Sequence, residues 1–192
     1  MTEKDLLNGN LDKLYQEGYA LSEDETQYLS SWGSLEMQIR EAEESLNLSI
    51  KFGKKRPFGK FEEFILANAL YKNSILAYAK CFSSSGKGKI SLDSNQVYAN
   101  SSKHKEIHDK LMGIRNEYVA HNDNNDFELA IVLQKQEKDR IIISNTVSYN
   151  TPVDDFNQYL ELFKYCSKYI INQVNKKADK LEKRLGKRID FR

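Results

Sequence analysis

Apolar residues along this chain recur mostly at steps of three and four, the spacing of a helix that buries one face. From Ser22 to Ile50 the set Leu29, Trp32, Leu35, Ile39, Ala42 and Leu46 keeps that step. Ser22 stands before acidic residues and has the chemistry of a helix start; Gly53 and Pro57 close the segment. A second helix is expected from about Lys60 to Phe82, where Phe64, Ala67, Tyr71, Ile75, Tyr78 and Phe82 carry the period. Ile65, Leu66, Leu70 and Leu76 widen that stripe, so this helix is expected to be central and buried over much of its circumference. Residues 90–100 give no clear period. Ser101 or Ser102 is then placed to cap a helix that carries Ile107, Leu111, Ile114 and Tyr118 on one face and ends near His121.

After the turn-forming run Asn122–Asp126 the period changes from 3.6 to 2. Phe127, Leu129, Ile131 and Leu133 alternate with other residues, and Ile141, Ile143 and Val147 alternate after the charged stretch Lys135–Asp139. A β-hairpin over 127–149 follows, and such a two-stranded ribbon is expected to need a helix to pack against. Beyond Pro152, Phe156, Leu160, Phe163, Ile170, Val174 and Leu181 describe one long helix over 153–184. Its charged C-terminal third is expected either to project from the body or to pack on a second subunit. Residues 1–22 read as an N-terminal arm or short helix. The expected fold is mainly α: a helical bundle with an inserted β-hairpin before a long C-terminal helix, in a single domain over 1–192.

Composition narrows the partners. The 192 residues are 40% hydrophobic and 30% charged, with two prolines, Pro57 and Pro152. Net charge is +1, far from the strong basicity of proteins that hold nucleic acid by bulk electrostatics. Any RNA contact must be local. Two basic patches exist, Lys51, Lys54, Lys55, Arg56 and Lys60 around Pro57, and Lys176, Lys177, Lys180, Lys183, Arg184, Lys187 and Arg188 near the end. Taken alone, each reads better as a solvated helix face or linker. Cys81 and Cys166 lie in apolar helical patterns and read as reduced core thiols. No segment has the length of a membrane span, and Met1–Asn10 has no apolar signal core. A soluble, cytoplasmic protein without membrane contact is expected. The loop Ser83–Lys89 lacks the spacing of a phosphate-binding loop.

The informative stretch runs from Leu111 to Asp123 and contains Arg115, Asn116 and His121. An imidazole exchanges a proton near neutral pH. A guanidinium offers a rigid fork of donors to phosphate oxygens. The two suit phosphoryl chemistry on RNA: a base takes the ribose 2′-hydroxyl proton, that oxygen attacks the adjacent phosphorus, and the arginine stabilises the growing charge. Spacing alone argues against adjacency, since six α-helical residues separate the two by about 120° and about 9 Å. A helix ending at His121 would free that imidazole to swing back or face a neighbouring chain. The plainer reading is that both are cations favoured by the helix dipole at a C-terminus.

Arg115-Asn116, three residues, Ala120-His121 resembles the signature of the HEPN superfamily: an arginine, four to six residues, then a histidine, with a polar residue directly after the arginine. The likeness is specific over about a dozen residues and vaguer from roughly 25 to 125, where it is similar to HEPN families of abortive infection. It implies a helical bundle and a metal-independent endoribonuclease that needs no cofactor and leaves 2′,3′-cyclic phosphate ends, in bacterial phage defence or as a toxin. It implies a homodimer whose two motifs share one cleft and RNA as partner, and it leaves room for a neutralising antitoxin. Arg115 and His121 would be catalytic and Asn116 supportive. The alternative is a non-catalytic HEPN module that binds RNA, nucleotide or protein; a purely structural helical dimer with 153–184 as its interface is a third reading. His104 and His108, one turn apart with Glu106 and Asp109 nearby, carry the spacing of a metal chelate but read better as exposed polar positions. His108, seven residues before Arg115, is a candidate phosphate contact. Lys80 is a candidate cleft cation, or a lysine snorkelling at a helix end. Tyr118 is a candidate RNA contact that the core pattern otherwise assigns to packing.

Overall fold

The computed structural model describes residues 21–53, 60–83, 89–120, 128–149 and 155–191. The order is α1 (Glu23–Gly53), α2 (Phe61–Lys80), a short α3 (Ser94–Val97), α4 (Ser102–Ile114), a π-helical turn (Arg115–Ala120), β1 (Glu128–Gln136), β2 (Ile141–Tyr149) and α5 (Phe156–Leu185). The protein is therefore mainly helical, with a small antiparallel hairpin before a long last helix.

The starts and stops follow local chemistry. At α1 the Glu25 N–H donates to Ser22 Oγ at 3.3 Å, and the Ser22 N–H donates to Glu25 Oε2 at 3.0 Å. This reciprocal pair is a capping box. Asp93 caps α3 by accepting from the Asn95 N–H at 2.9 Å. Gly186 ends α5 in the left-handed region at φ 63°, where a side chain would be strained.

The three long helices build the core. Helix α1 packs on α2 and on α5. Leu35, Ile39, Ala42 and Leu46 of α1 meet Tyr71, Ile75 and Tyr78 of α2 and Leu162, Phe163, Cys166 and Ile170 of α5. Buried Ser49 joins α1 to α2 by donating its Oγ–H to the Ala67 carbonyl at 2.8 Å. Helices α4 and α5 run antiparallel, since Lys110 pairs with Asp155 at 2.7 Å while Lys103 pairs with Glu161 at 3.3 Å.

Three expectations change. Helix α2 is central only in its second half; Phe61 (72% exposed), Ile65 and Leu66 of its first turns face outward. The apolar flank seen in the pattern there is not buried by α1. The C-terminal part of α5 does not project from the body. Ala178 and Leu181 are buried, Arg184 Nη2 reaches Glu25 Oε2 at 2.7 Å, and the Lys177 ammonium lies over the Tyr28 ring at 5.2 Å. Burial of that apolar stripe against the start of α1 holds it down.

The hairpin also departs from expectation, because neither strand packs substantially on a helix among the described residues. Its register pairs Leu133 with Ser144 and Gln134 with Ile143. Alternation puts Ile131, Leu133 and Ile142 on one face and Val132, Ile141 and Ile143 on the other. Both faces are thus apolar, and all six side chains are exposed. At its tip the Glu137 N–H donates to the Arg140 carbonyl at 2.8 Å.

Candidate functional site

Ile107, Leu111 and Ile114 hold the inner face of α4 in the core. A step of about 100° per residue then turns Arg115 away from that face. Its side chain is half-buried, and Asn116 beside it is exposed. Arg115 Nη1 donates to Asn116 Oδ1 at 2.9 Å, which fixes one prong of the fork. Arg115 Nε is buried and has no hydrogen-bond partner among the described residues. A buried donor left this way is costly, about 1–3 kcal/mol, unless an acceptor reaches it.

At Arg115 the α-helix gives way to the π turn, which packs on α2. Hydrogen bonds there run to the fifth residue instead of the fourth, and such turns are frequent at functional positions. Gly113 just before it and the aromatic and β-branched pair Tyr118-Val119 within it are weak α-helix formers. The separation of about 120° between positions 115 and 121 assumed an unbroken α-helix. That assumption does not hold for this segment. His121 lies outside the described residues, as does the side chain of Tyr118. Lys80 is exposed on the last turn of α2, and no described contact ties it to Arg115.

His108 is not an exposed polar position. It is 5% exposed, and its Nδ1 lies 2.6 Å from the Tyr78 hydroxyl, itself 2.8 Å from the Tyr98 hydroxyl. The rings of Phe82 (4.5 Å), Tyr98 (5.4 Å) and Tyr78 (5.7 Å) surround it. Burial among them pushes its pKa down to about 4. The ring is neutral at pH 7, so the reading of His108 as a phosphate contact is withdrawn. The same apolar stripe that carries Ile107 and Leu111 draws His108 inward, and the tyrosine hydroxyl satisfies it there. His104 is half-buried, not exposed: its Nδ1 is 2.6 Å from Ser101 Oγ and its ring stacks on Tyr165 at 4.2 Å. Desolvation lowers its pKa too.

Cys81 and Cys166 are free thiols buried in the core; burial raises both, Cys166 to about 12. Among the described residues no three His, Cys, Asp or Glu side chains are grouped to hold a metal ion, and no helix is long and apolar enough to cross a membrane. The first basic patch lies largely outside the described residues. The second is partly engaged, by Arg184 with Glu25 and by Arg188 with Asp190 at 3.1 Å.

A groove of about 410 Å³ between α3 and the middle of α5 carries no sequence signal of the HEPN kind, and sequence reasoning missed it. Its residues, Gln96, Asn100, Lys168 and Asn172 among them, come from two segments that only the fold brings together. Comparison of the chain with family models, with curated proteins and with solved structures returns no match.

Proposed function

We propose that this protein is a metal-independent endoribonuclease of the HEPN type. The observation that carries the reading is the half-buried Arg115 guanidinium, its Nη1 pinned by Asn116 on the segment that leads to His121. A guanidinium matches phosphate oxygens in charge and geometry. The position of this fork on a π turn, on the segment that leads to His121, supports the assignment.

In the proposed reaction His121 accepts the proton of a ribose 2′-hydroxyl. The 2′-oxygen bonds to the adjacent phosphorus as the bond from phosphorus to the 5′-oxygen breaks. A proton returned to that 5′-oxygen leaves a 5′-hydroxyl and a 2′,3′-cyclic phosphate. Arg115 stabilises the charge on the non-bridging oxygens, and Asn116 orients the guanidinium. A second copy would bring a second Arg–His pair to the same cleft. Toxin action or phage defence, with a neutralising partner, is the setting such an activity would serve.

The test is incubation of the purified chain with RNA in excess EDTA, beside Arg115→Ala and His121→Ala, with analysis of product ends. Cyclic phosphate ends are expected, with cleavage reduced on the order of 10²-fold or more in each variant. Cleavage that needs a divalent metal, or that survives both substitutions, removes the mechanism. RNA bound but left intact by the unaltered chain points instead to a non-catalytic binding module.

A further inference from the structure

The groove between α3 and α5 is lined by four carboxamides, two phenols and two ammonium groups, and by no carboxylate. The lining therefore holds no acidic group that would repel a phosphate. Two adjacent ridges of α5 form one side. Tyr165, Tyr169 and Gln173 follow each other at steps of four, and so do Lys168, Asn172 and Lys176. Gln96 and Asn100 face them from α3 and the turn after it. Asp93, whose charge is felt at Tyr169, is turned to cap α3.

Two other cations of α5 have carboxylate partners, Lys164 with Glu43 at 4.0 Å and Arg184 with Glu25 at 2.7 Å, and Lys177 lies over the Tyr28 ring. Lys168 and Lys176 have no ion pair among the described residues, and they sit two turns apart, about 12 Å along the axis. Each carboxamide presents a donor and an acceptor side by side, which matches the edge of a nucleobase. Carboxamides here outnumber lysines two to one, so most of the polar lining offers paired donors and acceptors rather than charge alone. The volume, about 410 Å³, falls in the range of small-ligand pockets.

We infer that this groove binds a segment of single-stranded RNA, with Lys168 and Lys176 on its phosphates and Gln96, Asn100, Asn172 and Gln173 against base edges. It rests on the nuclease reading only in the choice of RNA as the strand. Because α4 and α5 run antiparallel, with Lys110 at Asp155 and His104 at Tyr165, the groove lies away from the Arg115 end. From Asp155 to Tyr169–Asn172 the axis of α5 advances on the order of 20 Å. The groove would hold a substrate strand at a distance from the reacting phosphate, and so supply the local attraction that a net charge of +1 does not.

The test is fluorescence anisotropy with a labelled, mixed-sequence 2′-O-methyl oligoribonucleotide, which a 2′-hydroxyl nuclease does not cut. Lys168→Glu with Lys176→Glu is expected to weaken binding more than about 10-fold and to lower the salt dependence by one to two phosphate contacts. Asn172→Ala with Gln173→Ala is expected to weaken it with the salt dependence unchanged. Lys138→Glu, a charge reversal at the exposed hairpin tip, is expected to stay within about twofold; circular dichroism checks that each variant is folded. Four outcomes overturn the inference: no binding by the unaltered chain, equal loss on Lys138→Glu, displacement by poly-glutamate as effective as by unlabelled strand, or displacement by a mononucleotide at equal concentration. Binding and cleavage are read separately, so a chain that binds here without cutting refutes the nuclease reading alone.

Discussion

Acidification from pH 7 to pH 4.5 is expected to weaken this fold through one buried imidazole. His108 is 5% exposed and walled by Phe82, Tyr98 and Tyr78, and its pKa is lowered to about 4, chiefly by desolvation. Asp109 opposes that shift and Lys105 adds to it, both to a smaller extent. In the unfolded chain the same group titrates near ~6.5. Between these values the unfolded state binds more protons, so stability falls as pH drops below about 6.5 and levels off below about 4. The separation corresponds to about 3 kcal/mol over the whole window, with about 2–3 kcal/mol of it lost by pH 4.5. Urea denaturation at a series of pH values, beside a His108→Phe variant, isolates this contribution from the carboxylates. Phenylalanine keeps the aromatic packing, and the Tyr78 hydroxyl keeps Tyr98. The variant is expected to lose about 2–3 kcal/mol less than the unaltered chain between pH 7 and pH 4.5. Equal losses in the two proteins, or an imidazole resonance of His108 that titrates near 6.5 by NMR, would refute the reasoning.

Other substitutions probe the frame around the site. Gly113→Ala places a Cβ in α4 that meets nothing within 4 Å, and it should raise stability by about 0.5–1 kcal/mol in chemical denaturation. Gly186→Ala forces a side chain to φ 63° at the end of α5 and should cost about 1 kcal/mol by the same measurement. Ser49→Ala removes the bond to the Ala67 carbonyl that joins α1 to α2, a loss of about 1 kcal/mol. Leu46→Ala opens a cavity at a fully buried position and should cost about 2–5 kcal/mol, read as a lower denaturation midpoint with unchanged slope.

Periodicity alone located the long helices and the hairpin. Ser22 marked the start of α1, and the alternation of Ile131, Leu133, Ile141 and Ile143 marked the strands, because capping and side-chain period are set by neighbours in sequence. The adjacency of Arg115 and Asn116 could be read in the same way. The tertiary structure alone decided what each apolar stripe touches. Among the described residues it left Ile131, Val132, Leu133 and Ile141 to Ile143 of the hairpin exposed, folded the end of α5 onto Glu25 and Tyr28, and exposed Phe61 and Ile65 on a helix expected to be buried over much of its circumference. It also drew His108 under Tyr78, since a ring nitrogen on a core-facing position is stable inside once a partner from another helix reaches it. The groove of α3 and α5 has the same origin: it depends on contacts between segments distant in the chain, and no local pattern encodes which segment will arrive.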